Sequence, residues 1–179
     1  AQKMINEHKD IEWKEALDTY RSLLESSIQL RFRADVPVGF NLSGGVDSSL
    51  LLALVNQRKD ASKIKAFTFY TDDERYDELY WVEQMVKLTR TELNKVKFTP
   101  DDFEDWHERI SYVQDEPYGG LPTLAYAKLC RSAADQGVKV LLDGQGMDEA
   151  WAGYDYYQNS SQQIIQGQKE NGSPFKMDC

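Results

Sequence analysis

The sequence predicts an α/β fold: a three-layer, Rossmann-like arrangement with helices on both faces of a parallel sheet. Two observations predict it. Apolar runs of strand length alternate along the chain with segments whose apolar residues recur every three or four positions. The first apolar run passes straight into Ser43-Gly44-Gly45 and from there into a helical pattern, the setting of a ligand loop beyond the carboxyl end of a parallel strand. Alternation of this kind implies right-handed crossovers.

Taken in order, residues 11–34 read as a long helix, with Ile11, Ala16, Leu17, Tyr20, Leu23, Leu24, Ile28 and Phe32 at helical spacing. Pro37 ends that pattern and biases its neighbour toward extended backbone. Residues 36–42 form a short apolar run that reads as a buried strand. Leu50, Leu51, Leu52, Leu54 and Val55 then mark a mostly buried helix. Residues 64–70 are a second strand, and the polar stretch 71–77 leads into a helix over 78–88. Residues 95–98 are a weaker third strand. Thr99-Pro100-Asp101-Asp102 starts a helix well, with Pro near the first turn and acids facing the dipole; it should run to Val113. Pro122 opens another helix that stops near Gln136-Gly137. Residues 138–142 are the fourth strand, and a short helix follows Met147. From Gln158 the chain is polar and rich in Gln, Ser and Gly, so a loosely ordered end is expected. This divides the chain into a leading helix (1–35), an α/β core that carries the Ser43-Gly44-Gly45 loop (36–157) and a polar end (158–179).

Composition narrows the function. The 179 residues are 41% hydrophobic and 12% aromatic, enough for one domain with a real core. A formal net charge of -9 argues against nucleic acid as the main partner, since phosphate backbones need clustered Lys and Arg. No apolar run approaches a membrane span, and the polar start has no signal-peptide shape. Cys130 and Cys179 make neither a disulfide framework nor a zinc site. Cys130 falls on an apolar helical stripe and reads as a buried, inert thiol. A reducing cytoplasm is the expected location.

The chemistry lies in Ser43-Gly44-Gly45-Val46-Asp47-Ser48-Ser49. Two glycines let backbone N–H groups approach an anion with no side chain between. The following helix adds its positive end. Ser43, Ser48 and Ser49 add hydroxyls. Asp47 would repel a bare phosphate, and makes sense as a ligand to magnesium that bridges to the phosphates. No Lys follows at Walker spacing, so the loop is of another type. The plainer reading is a strand-to-helix turn with Asp or Ser as a cap.

A second acidic segment, Asp143-Gly144-Gln145-Gly146-Met147-Asp148-Glu149, follows the fourth strand. If strands one and four are neighbours where strand order reverses, their carboxyl ends bring Asp47 and Asp148 toward one ligand, with magnesium between. The plainer reading is a glycine turn with Asp148 capping the next helix. His107, among acids on a helix, and His8 read as solvated. Asp72, Asp73, Glu74 and Asp77 read as a solvated loop rather than a metal cluster.

The seven-residue loop resembles the signature of the N-type ATP pyrophosphatases, whose fold is adenine nucleotide alpha hydrolase-like. Arg33 to Gly39 running into it resembles the synthetase domain of glutamine-dependent asparagine synthetases. The segment from Gly144 to Tyr154 is similar to that family's Ser-Gly-Glu-Gly-x-Asp-Glu-x-x-x-Gly-Tyr motif, with Asp143 in place of Ser and Gln145 in place of Glu. The resemblance covers residues 15–157. It implies that Leu42, Phe69 and Gly144 contact the adenosine, that Asp143 is among the nucleotide-binding residues, that Asp47, Gln145 and Asp148 take part in the chemistry, and that Asp115 to Gly120 lie near the acceptor pocket. It further implies ATP and magnesium, adenylation of the β-carboxylate of aspartate with release of pyrophosphate, and amidation by ammonia from a glutaminase domain. Gln145 keeps size and hydrogen bonding but loses the charge of Glu. It therefore leaves open another carboxylate, as in β-lactam synthetases or cell-envelope amidotransferases, or a non-catalytic nucleotide-binding module. Neither a glutaminase sequence nor the family's later lysines occur here, so the chain reads as an excised piece of a longer protein.

Overall fold

The structure, a computed structural model, describes residues 11–57, 64–73, 75, 77–151, 153 and 154. The elements run α1 (Trp13–Arg31), β1 (Val38–Asn41), α2 (Val46–Val55), β2 (Lys65–Tyr70), α3 (Leu79–Thr89), β3 (Glu92–Lys97), α4 (Asp102–Gln114), α5 (Leu121–Asp135), β4 (Val140–Leu142) and α6 (Met147–Trp151). The chain divides into two compact units, residues 1–142 and 143–179. The readings of His8, Glu74, Cys179 and the polar end 158–179 fall outside the described residues.

The first unit holds one sheet in the order β3-β2-β1-β4. All three pairings are parallel, with Phe40 opposite Ala66 on one side and Leu142 on the other. Chain order reverses beside β1. Both faces are covered. Ile28 of α1, Leu52 and Val55 of α2 and Val82 of α3 pack with Phe40 and Leu42 on one face. Leu129 and Ala133 of α5 pack on Phe67 on the other, and Trp106 and Ile110 of α4 join Phe98 and Leu124 there. Alternate strand residues therefore serve opposite layers. A side chain at Gly39 would lie 3.0 Å from both the Phe67 ring and Leu141, so its hydrogen leaves room for that ring.

Each sequence-predicted element is present, and the differences lie at the ends. α1 stops at Arg31 because Phe32 turns into the core and the Arg33 N–H bonds to the Leu30 carbonyl, tightening the last turn. Of its apolar stripe only Ile28 is buried; Leu17 and Leu23 are exposed. β3 begins at Glu92, three residues before its apolar run, because Glu92, Leu93 and Asn94 pair with Lys65, Ala66 and Phe67. There the ladder, not the side chains, makes the strand. Cys130 is half-buried rather than buried. No helix among the described residues is long and apolar enough to cross a membrane.

The carboxyl end of β3 is tied to both helices behind it. Asp102 accepts the Thr99 N–H at 2.8 Å and the Thr99 hydroxyl at 2.9 Å, so the helix start read from the sequence is tied back to the residue that precedes its first turn. Lys128 of α5 donates to Asp102 at 2.6 Å and to the Lys97 carbonyl at 2.8 Å. Burial alone would raise the Asp102 carboxyl; Lys128 and the two Thr99 donors outweigh it and hold the group below its ordinary value. A carboxyl depressed in the folded state stabilises above its unfolded pKa, and the contribution disappears as pH falls through the folded value. Asp102→Asn is therefore expected to cost on the order of 1 kcal/mol at neutral pH. It should also flatten the loss of stability below about pH 4, which urea denaturation at a series of pH values measures. An unchanged acid limb would show that the cluster is not linked to folding.

Candidate phosphate-binding loop

β1 is extended by one further ladder bond, Leu42 N–H to the Phe67 carbonyl at 2.9 Å, and then the chain turns sharply. Gly44 makes the turn with φ of 91°, and Gly45 precedes α2 in extended conformation. A left-handed residue at this point is far cheaper as glycine. Space demands it too: a Cβ on Gly44 would sit 2.9 Å from the Glu78 Cβ and 3.0 Å from the Glu78 carbonyl oxygen.

The serines brace the loop from within. Ser48 is buried, and its hydroxyl donates to the Gly45 carbonyl at 3.2 Å. It also accepts the Ser43 N–H at 3.3 Å and lies 3.0 Å from the Ser43 hydroxyl. The Ser43 hydroxyl accepts the Gly45 N–H at 3.3 Å. These bonds hold Ser43, Gly45 and Ser48 together, while Ser49 is half-buried on the first turn of α2. No side chain caps α2. Its leading N–H groups, with the helix dipole behind them, are a candidate anion-binding feature. Asp47 is half-buried in that first turn.

The loop thus lies at the carboxyl edge of the sheet, beside the reversal between β1 and β4. Leu42 is fully buried and its N–H is used in the ladder, which leaves its carbonyl for any polar contact. Phe69 lies at the end of β2, and its half-buried ring packs on the α4–α5 side of the sheet. Its side chain serves the core; only its backbone is at the strand end.

Residues 143–179 form the second unit, and Asp143, Gly144, Gln145 and Asp148 belong to it, whereas Asp47 belongs to the first. Within that unit Asp143 accepts the Gly144 N–H at 2.6 Å. Gln145 is exposed in a turn that Gly146 completes with φ of 94°. Asp148 is half-buried on the short helix α6. The Gly153 N–H donates to the Asp148 carbonyl at 2.9 Å, and a Cβ on Gly153 would collide with the Asp148 carboxylate. Any side chain at the glycine of the Gly-Tyr element would require the Asp148 carboxylate to turn aside. The Tyr154 hydroxyl donates to Glu149 at 2.9 Å.

Other candidates read from the sequence resolve into structural roles. Asp72 pairs with Lys97 and Asp73 with Arg75, whose guanidinium holds the exposed Asp73 carboxyl below its ordinary range. His107 is exposed but not simply solvated: its ring stacks on Phe103, and its Nδ1 shares a hydrogen bond with the Tyr118 hydroxyl. Tyr118 lies in the loop between α4 and α5, half-buried against Leu124 and Phe98. The described residues contain no group of three or more His, Cys, Asp or Glu that could hold a metal. Sequence reading missed Glu78 as a neighbour of the loop. Asp77-Glu78-Leu79 carried the signal of a helix start, but nothing in it pointed to Gly44.

The sequence model of asparagine synthase matches residues 19–172. The chain belongs to the asparagine synthase family. A Methanocaldococcus jannaschii protein provisionally named glutamine-hydrolyzing asparagine synthetase 2 is 33% identical over 144 residues, covering 79% of this chain and 27% of that protein. Asparagine synthetase 1 of Bacillus subtilis is 26% identical over 140 residues, 76% of this chain and 21% of its own length. The amidase chyE of Penicillium rubens is 29% identical over 163 residues, 80% of this chain and 23% of its own. The chain thus spans about a quarter of the length of the curated relatives it matches. Among solved structures, a glutamine-dependent NAD+ synthetase of Acinetobacter baumannii in complex with ADP superposes with a TM-score of 0.53 at 18% identity, over 78% of this chain and 27% of that one. The U34-tRNA thiolase NcsA of Methanococcus maripaludis gives 0.52 at 16% identity, over 84% and 52%. Those likenesses bear on the fold alone, which is adenine nucleotide alpha hydrolase-like as the sequence predicted.

Gly44→Ala places a Cβ against backbone that cannot give and forces a left-handed alanine. It is expected to destabilise the chain by roughly 1–3 kcal/mol. Gly146→Ala meets nothing within 4 Å and should cost only the backbone strain, roughly 1 kcal/mol. Chemical denaturation of the two variants compares them; equal losses would refute the seating of Gly44.

Proposed function

We propose that this chain supplies the ATP-binding part of an asparagine synthetase-type ligase. In this reading the enzyme activates the β-carboxylate of aspartate as an acyl-adenylate, releases pyrophosphate, and forms the amide with ammonia from a glutaminase domain. The observation that carries it is the loop: a parallel strand at the reversal of chain order, a left-handed Gly44, and an uncapped α2 with Asp47 in its first turn.

The residues divide the work as follows. The leading N–H groups of α2 receive the β and γ phosphates and stabilise the charge that grows on departing pyrophosphate. The Ser43 and Ser48 hydroxyls hold that shape before ATP arrives, so no reorganisation is needed during reaction. The Leu42 carbonyl and the backbone of Phe69 are available to the adenine. Asp143, Gly144, Gln145 and Asp148 enter this reading through their motif alone.

Magnesium suits the donors present: it binds one or two carboxylates, retains waters and takes its remaining oxygens from substrate phosphates, so no protein cage is required. Asp47, and by the motif Asp148, would hold it. When bound it supplies neutralisation and alignment of the triphosphate.

A second reading, adenylation of a different carboxylate, is favoured by Gln145 and Asp143 and by the similarity to an amidase. ATP–pyrophosphate exchange by the full-length protein, with aspartate and a panel of other acids, tests both. Exchange with aspartate is expected. Exchange only with another acid would replace the first reading by the second, and ATP binding with no exchange for any acid would defeat both. Asp47→Ala should lower magnesium-dependent pyrophosphate release by about a hundredfold or more, as loss of a metal contact implies. Wild-type turnover in that variant would refute the metal role.

A further inference from the structure

We infer that Asp77 is a positioning residue for the phosphate loop, acting through the turn at the head of α3. Asp77 is half-buried, and its Oδ1 accepts the Leu79 N–H at 2.8 Å. That bond satisfies a donor of the first turn of α3, which otherwise has no side-chain cap. The Glu78 carbonyl beside it accepts the N–H groups of Trp81 and Val82, at 2.9 and 3.2 Å. Glu78 is thus fixed from both sides, by the capped turn before it and the helix after it.

Gly44 rests on this fixed point. A side chain there would meet the Glu78 Cβ at 2.9 Å, the Glu78 carbonyl at 3.0 Å and Val82 Cγ2 at 3.4 Å, and Val82 is fully buried. The Glu78 Cβ and carbonyl are fixed by the backbone of α3 and Val82 is held in the core, so none of these atoms is the free end of a flexible side chain that could absorb a shift. If the first turn of α3 frays, the floor under Gly44 moves, and with it the aim of the N–H groups that follow. Asp77 differs from Asp72 and Asp73 earlier in the segment, which face Lys97 and Arg75, whereas Asp77 caps a helix. What it supplies is an acceptor oxygen, not a charge.

The binding arm of the test rests on the reading of Ser43 to Ser49 as a phosphate cradle; the exchange arm does not. The whole chain is compared as wild type, Asp77→Ala and Asp77→Asn, since Asn caps a helix start about as well as Asp. Asp77→Ala is expected to speed amide hydrogen exchange across residues 43–49 and to weaken binding of inorganic pyrophosphate with magnesium by about tenfold. Asp77→Asn is expected to restore both to within about threefold of wild type. An Asn variant that loses pyrophosphate affinity as severely as Ala, with exchange at 43–49 unchanged, would make the carboxylate a direct ligand and overturn the proposal. A fall in melting temperature for Ala with exchange and affinity unmoved would leave only a structural cap, and overturns it too. Wild type that binds no pyrophosphate would defeat the phosphate-cradle reading, while exchange at 43–49 still decides the positioning role. The Asn variant keeps the cap, so the comparison survives if the Ala variant does not fold.

Discussion

The structure depends on β1 being paired on both sides. Its parallel ladders to β2 and β4 bury Phe40 and Leu42 completely and put the reversal of chain order beside this strand. A parallel strand must send its chain onward at the carboxyl edge, and at a reversal no crossover helix covers the space beyond. The loop after β1 is therefore placed where a ligand can enter, whatever its sequence. Its sequence then decides how that loop turns and what braces it.

The loop is held by two devices of different kinds. Inside it, Ser43 and Ser48 bond to one another and to the backbone of Ser43 and Gly45. Outside it, Gly44 is seated on the backbone of Glu78, at the start of the helix that follows β2. The first device is local and travels with the motif. The second couples the loop after β1 to the segment after β2, so that Asp77 and Glu78 belong to the loop's support although they are more than thirty residues away in the chain. Binding by backbone N–H groups demands such support, because a main-chain donor cannot be re-aimed by a rotamer change.

Much of this was legible in the sequence. Strands, helices and caps followed from periodicity and from Pro and Gly punctuation, and Thr99 with Asp102 formed the helix start that the spacing announced. The less legible parts share a cause. β3 extends over Glu92, Leu93 and Asn94 because β2 offers them a ladder, and an edge strand with few apolar residues has little pattern of its own. The stripe of α1 foretold a helix but not how little of it would be buried. His107 looked solvated because its partners, Phe103 and Tyr118, meet it only when α4 and the following loop are in place.

By itself the sequence determined the alternation of strands and helices, the strand-loop-helix setting of the glycine-rich loop, and the family, since each resides in short runs whose residues act on their immediate neighbours. The tertiary structure alone decided which strands are adjacent, that Ser48 is buried and braces the loop, and that Gly44 is closed in by Glu78. Those outcomes depend on segments far apart in the chain packing so closely that a side chain on Gly44 would have no room. Contact of that kind is fixed by packing, which no local pattern encodes.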